Sequence, residues 1–261
     1  MWKITPLDVG ELEYDVSEST FRRGMGKKAN EKFVCWYLTD GTNKVLVDCG
    51  LPDIERSKKW HPYTNPRVSE DQQLPNILKK MGIKCEEINL IVLTHLHWDH
   101  ASGMPHFPNA QIRVSQTELQ YAIDAEPMHY AGYEAPQLGI TPAFLTEIAR
   151  IKTVKMKEQQ ILPGLTMFPT PGHTVGSMSV LVETTDGPYV ITGDAVACYD
   201  NLKGDPKKGI KYLATGIFVD MMAMLDSMAL IDEKANYKLD HILPGHDSKV
   251  FEHACYPVEN K

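Results

Sequence analysis

The chain is poor in paired cysteines, basic runs and long apolar stretches. It holds five cysteines in 261 residues. They are Cys35, Cys49, Cys85, Cys198 and Cys255, an odd and scattered set without a C-x-x-C pair. That excludes a disulfide framework and reads as reduced thiols filling a core, in a cytoplasmic protein. No lysine or arginine run reaches the length of a basic patch, and the formal net charge is −7. Nucleic acid and anionic membrane are therefore not expected partners. The nearest basic cluster, Arg22-Arg23 with Lys27-Lys28, reads as a solvated loop. No apolar run is long enough to span a bilayer. The first residues, Met1 to Thr5, read straight into a strand and lack the apolar centre of a signal peptide. Repeats, linkers and low-complexity blocks are missing too.

What is present is the composition of a folded α/β chain. Hydrophobic residues make up 43% of it, enough for a large core without staples in one domain over 1–261. Residues 2–9 read as a strand, followed by a polar, Gly-containing stretch to 31. Phe33–Leu38 and Lys44–Asp48 form a hairpin about Asp40-Gly41. Residues 51–70 carry three prolines, Trp60 and Tyr63 and read as a long loop. A helix is expected over 73–81, ending at Gly82. A buried strand follows over 88–93, and a short one over 111–114. Ser115-x-x-Glu118 reads as a capping box opening a helix to about Ala125. Residues 126–145 read as an insertion. A second hairpin joins 177–184 to 188–192 at Asp186-Gly187, a methionine-rich helix spans 218–232, and a last strand covers 240–243. Strands gather at both ends of the chain with helices between, which fits two mixed sheets sandwiched by helices.

The chemistry sits at strand ends. His95, His97, Asp99 and His100 follow the 88–93 strand; His173 stands in Thr-Pro-Gly-His, Asp194 in Thr-Gly-Asp and His246 in Pro-Gly-His. Alternate residues of an extended segment project to one side, so His95 and His97 can reach one metal together. A turn at Trp98 sends Asp99 and His100 toward a second site. Gly103 and the Pro-Gly pairs before His173 and His246 suit tight turns. Imidazole and carboxylate without thiolate suit zinc, manganese or iron, with positions left open for water. Two divalent ions bring about +4, Asp99 and Asp194 about −2 and a bridging hydroxide about −1. The remainder of about +1 is still electrophilic. The other histidines, His61, His106, His129, His241 and His253, lack this context; His61 and His129 fall in candidate lid loops.

The string Thr94-His-Leu-His-Trp-Asp-His-Ala-Ser-Gly103, with the later motifs in order, resembles the metallo-β-lactamase superfamily across nearly the whole chain. The resemblance implies a four-layer αββα sandwich with the site at one edge of the sheets. It implies that His95, His97 and His173 hold a first metal, and Asp99, His100 and His246 a second. Asp194 would bridge them and Asp48 would support the site. Class B β-lactamases of the commonest type carry cysteine at the Asp194 position, flavodiiron proteins glutamate at the second motif histidine, and RNase Z a basic arm. The chain shares none of these. It is most similar to the N-acyl homoserine lactonase branch. Many such lactonases place a tyrosine three residues after the bridging aspartate; here that residue is Ala197, and Tyr199 is the nearest tyrosine.

The resemblance therefore implies a small-molecule lactone substrate, opened by attack of a metal-bridging hydroxide on the carbonyl. Asp99 is the expected proton shuttle and Tyr199 the candidate donor to the oxyanion. Other esters, thioesters, cyclic amides and β-lactams are the alternative substrates, and a non-catalytic metal-binding protein the alternative class. A structural zinc site closes with four ligands, which speaks against the last. Pocket walls are sought among Trp60, Tyr63, Met128, Tyr130, Tyr133, Phe218, Met221 and Met222. The methionine-rich helix offers either a core face or a homodimer surface.

Overall fold

A computed structural model describes residues 1–258. Two mixed sheets form its centre. The first has six strands in chain order, β1 (Lys3–Asp15), β2 (Lys28–Thr39), β3 (Lys44–Val47), β4 (Leu90–Val92), β5 (Gln111–Ser115) and β6 (Ile151–Val154). β1 to β3 pair antiparallel, whereas β3 to β6 run parallel. The second sheet is ordered β11-β10-β9-β8-β7. Its strands are β7 (Gln159–Leu162), β8 (Leu165–Pro169), β9 (Met178–Thr184), β10 (Gly187–Ile191) and β11 (Ile242–Leu243). Only β10 and β11 pair parallel.

The period of two in the strands builds the layers. In β2, Val34, Trp36 and Leu38 enter the core between the sheets, while Phe33, Cys35 and Tyr37 enter the outer one. In β4, Leu90 and Val92 face inward and Ile91 outward, as does Leu93 just beyond it. Both faces of these strands are therefore apolar, as a sheet covered on each side requires. The outer core of the first sheet is closed by Leu74 and Leu78 of the helix Leu74–Lys80 and by Leu119 and Ala122 of the helix Gln116–Ile123. On the second sheet, Met224, Met228 and Ile231 of the helix Met221–Lys234 cover Phe168, Val190 and Ile242. Their spacing of three and four puts them on one stripe, and each buried side chain contributes roughly 1.5–3 kcal/mol. This is the expected helix–sheet–sheet–helix order. Among the described residues, no helix is long and apolar enough to cross a membrane.

Three local readings change. The first strand runs on to Asp15 past an irregularity between Asp8 and Glu11, so the polar stretch 10–31 is largely hairpin. The loop expected over 51–70 contains the helix Ile54–Trp60, capped by Asp53, whose side chain accepts from Arg56 N–H. Its prolines, Pro52, Pro62 and Pro66, flank the helix rather than break it. Residues 126–145 fold into short turns, including the helices Tyr130–Tyr133 and Ala143–Thr146.

Candidate metal centre

β4 delivers the motif. Just past its end, Thr94 N–H donates to Asp48 at 2.8 Å, fixing the backbone from which His95 emerges. Two residues on, His97 caps a helical turn, Trp98–Ala101, and the chain bends at Trp98. That turn swings Asp99 and His100 round to the same space. His173 comes from the loop after β8, Asp194 from the turn after β10, and His246 from just beyond β11. In the second sheet β8, β10 and β11 share one direction, so these three loops leave by one edge. Close approach demands glycine at several of these turns, Gly245 and Gly103 among them. A Cβ on Gly245 would lie 2.8 Å from Asp194 Oδ1, and one on Gly103 would lie 2.0 Å from the Cys49 carbonyl oxygen. Gly103 has an ordinary φ of −77°, so space rather than turn geometry requires it.

The candidate ligand atoms converge. Asp194 Oδ1 is 3.1 Å from Nε2 of both His100 and His246. Its other oxygen, Oδ2, lies 3.3 Å from His173 Nε2 and 3.9 Å from His95 Nε2. Asp99 Oδ2 is 3.6 Å from His100 Nε2 and 3.7 Å from His246 Nε2. His97 Nδ1 faces His173 Nε2 at 3.0 Å. Within each of the groups His95-His97-His173, His95-His100-Asp194 and Asp99-His100-His246, ligand atoms lie no more than 4.8 Å apart.

The far side of most rings is tied down. His100 Nδ1 donates to Asp48 at 2.8 Å, His173 Nδ1 to the Ile217 carbonyl at 2.9 Å and His246 Nδ1 to the Lys32 carbonyl at 2.8 Å. These bonds set the tautomer that presents Nε2 inward. Burial, and then neighbouring imidazoles, hold His95 and His97 well below the ordinary histidine range. Burial opposes charge at His100 and His246 too, but the carboxylates, Asp194 foremost, carry His100 well up and His246 to about 9. Burial resists ionisation of Asp194, yet His246, His100 and His173 hold it well below the usual carboxylate range. The carboxylates thus draw positive charge into a buried place. His95 Nε2, His100 Nε2 and Asp194 Oδ1 are buried without a hydrogen-bond partner. Such orphaned donors and acceptors, all of imidazole or carboxylate type, fit divalent cations.

The sequence model of the metallo-beta-lactamase superfamily matches residues 34–246. The chain belongs to the metallo-beta-lactamase superfamily. An N-acyl homoserine lactonase of Bacillus thuringiensis is 28% identical over 78% of this chain and 79% of that one. A solved N-acyl homoserine lactone hydrolase, with the product N-hexanoyl-L-homoserine at its catalytic metal centre, superposes with a TM-score of 0.76. It is 24% identical and covers 96% of this chain and 95% of that one. A dizinc quorum-quenching lactonase superposes at 0.68, with 17% identity, over 95% and 88% of the two chains. At these identities the two structural likenesses establish the fold.

In this member of the metallo-beta-lactamase superfamily a cavity of about 260 Å³ opens above the cluster, with His97, Asp99, His173, Asp194 and His246 in its lining. Of the proposed wall residues only Tyr63 and Met128 reach it, with His129 from the candidate lids. Tyr133 packs edge-on against His97, and Phe218 and Met221 join the third core. Ala197 lines the cavity. Tyr199 does not. Two residues along, the chain has entered the helical turn Tyr199–Lys203, and the phenol donates to the Ile242 carbonyl at 3.0 Å. Burial pushes that phenol's pKa up, and it packs against the inter-sheet core. The expected oxyanion donor is therefore a structural tyrosine. Burial and then Glu31 push the Cys198 thiol up to about 12, and it does not line the cavity.

Two supporting groups escaped the sequence reading. Glu118 was expected to complete a capping box. Ser115 does accept from Glu118 N–H at 2.9 Å, but the carboxylate turns inward. It accepts from Leu96 N–H at 3.1 Å, Tyr133 O–H at 3.0 Å, Thr174 O–H at 2.7 Å and Gly176 N–H at 3.1 Å. One buried side chain thereby locks the His95–His97 segment to the His173 loop. His61, also buried, stacks on Trp98 at 3.8 Å and 9°. Its Nε2 lies 3.4 Å from Glu134, which pairs with Arg56.

Proposed function

We propose that the chain is a dinuclear metal-dependent hydrolase that opens lactones of the N-acyl homoserine type. The observation that carries this is the Asp194 carboxylate. One oxygen faces His100 and His246 and the other faces His173 and His95, so it stands between two ligand sets. His95, His97 and His173 would hold one ion, and Asp99, His100 and His246 the other. The dizinc neighbour of the same fold supports zinc in this role. Such ions supply a water that ionises near neutral pH and a positive charge opposite a developing oxyanion.

The chain's own residues do the rest. The cavity admits a small carbonyl compound, with Tyr63, Met128 and Ile217 at its exposed rim offering apolar contact. Asp99 belongs to the second set and also lines the cavity, which suits its Oδ atoms to pass a proton to the leaving alkoxide. The described cysteines are all free, in accord with a reducing cytoplasm.

Metal analysis beside a panel of acyl lactones, aryl esters, thioesters and β-lactams tests the reading. The expected result is close to two ions per chain with turnover fastest on the acyl lactones. Loss of both metal and turnover should follow His97→Ala. One ion or none, with turnover unaffected by that substitution, overturns it.

A further inference from the structure

The wall of the cavity contributed by the first hairpin carries chemistry that the metal cluster does not use. Leu12 pairs with Glu31 and Tyr14 with Ala29 across the β1–β2 ladder. Leu12, Tyr14 and Glu31 thus share one face of the hairpin, and all three line the cavity. The next residue bolts this wall to the cluster. Lys32 N–H donates to the His246 carbonyl at 3.3 Å, and His246 Nδ1 donates to the Lys32 carbonyl at 2.8 Å. Glu31 is held from one flank as well. Ser19 donates to its Oε1.

Apart from its histidines, the charged side chains of this lining are all carboxylates: Glu18 and Glu31 join Asp99 and Asp194, and among the described lining residues there is no lysine or arginine. The hairpin side, with Glu18 and Glu31, repels an anionic substrate group. It also penalises pure hydrocarbon, because a carboxylate stripped of water needs a replacement donor. An N–H group meets both conditions. Resting on the lactonase reading above, we propose that Glu31 is a specificity-determining residue, its carboxylate accepting a hydrogen bond from an N–H donor beside the hydrolysed carbonyl. The donor is an amide or an ammonium group; both present N–H, and they differ in whether the charge on Glu31 is needed.

Three lactones of one ring size test this on the metal-loaded enzyme: an α-acylamino lactone, its α-acyloxy isostere and the α-ammonium lactone. kcat/KM is measured for the wild type, Glu31→Gln and Glu31→Leu. The wild type should favour the acylamino over the acyloxy compound by about tenfold, and Glu31→Leu should bring that ratio to near one. Glu31→Gln keeps an acceptor without charge, so it retains a preference for the amide but loses one for the ammonium. Ratios within one variant do not depend on how much of it folds. Calorimetric binding of the ring-opened products repeats the comparison without turnover. A wild-type ratio near one, or a ratio unchanged in Glu31→Leu, overturns the proposal. Absence of lactone turnover in the wild type instead removes the lactonase reading, and the product-binding ratios then decide the role of Glu31.

Discussion

His100 gives its Nδ1 proton to Asp48 across 2.8 Å, and both side chains are buried. Asp48 also accepts from the Thr94 hydroxyl and N–H, so one carboxylate orients both a ligand ring and the strand end that carries the motif. Asp48→Asn should therefore weaken metal binding about 10–100-fold while leaving every ligand in the chain. Competition with a chromogenic chelator measures this; an affinity equal to wild type would count against it.

Glu118 satisfies four donors in a fully buried place. Glu118→Ala leaves two backbone N–H groups and two hydroxyls without their acceptor, and should cost roughly 3 kcal/mol of unfolding free energy. Urea midpoints of the metal-loaded protein give the number. Glu118→Gln, which keeps an acceptor, should lose less.

Tyr199→Phe should leave kcat/KM on the best substrate within about twofold and remove about 1 kcal/mol of stability, the net worth of its bond to the Ile242 carbonyl. A large fall in kcat with KM unchanged would return Tyr199 to the chemistry.

Burial raises the Glu31 carboxyl from 4.5 to about 7. Below pH 4.5 it is protonated both folded and unfolded. Between 4.5 and about 7 the unfolded chain releases the proton while the folded chain keeps it, so stability falls as pH rises through that window. Glu31→Gln stays neutral throughout. Relative to wild type, the metal-free variant should gain on the order of 2 kcal/mol on passing from acid to neutral pH, allowing for solvent screening. Urea melts of both proteins across that range check it; parallel curves would refute it.

The sequence exposed the candidate metal cluster because ligation needs particular side chains at particular spacings. His95, His97, Asp99 and His100 follow a buried strand, and no packing requirement alone explains that string. The layers were readable for a similar reason, since β4 and β10 are apolar on both faces. What stayed hidden depended on direction rather than spacing. Glu118 in the first turn of a helix reads as a cap, and only tertiary contact shows its carboxylate turned to Leu96 and Thr174. Counting residues from Asp194 placed Tyr199 near the site, but the turn between them aims it at Ile242. The helix after Asp53 was masked by flanking prolines. β6 to β8 lack a strong alternation, and their exposed positions, such as Gln159 and Gln160, gave no strand signal.

The cluster draws on both sheets. His95 to His100 leave the first, while His173, Asp194 and His246 leave the second. Cations shared between those sets would act as rivets across that edge of the sandwich, adding to the backbone bonds that cross it from Met178 N–H to the Thr94 carbonyl and from Lys32 N–H to the His246 carbonyl. The rivet holes line up only after distant parts of the chain have met, so high-affinity metal capture belongs to the last stage of assembly. Stripping the cations should loosen that edge first and leave the far end of the sandwich closed, a gradient that hydrogen exchange can follow strand by strand.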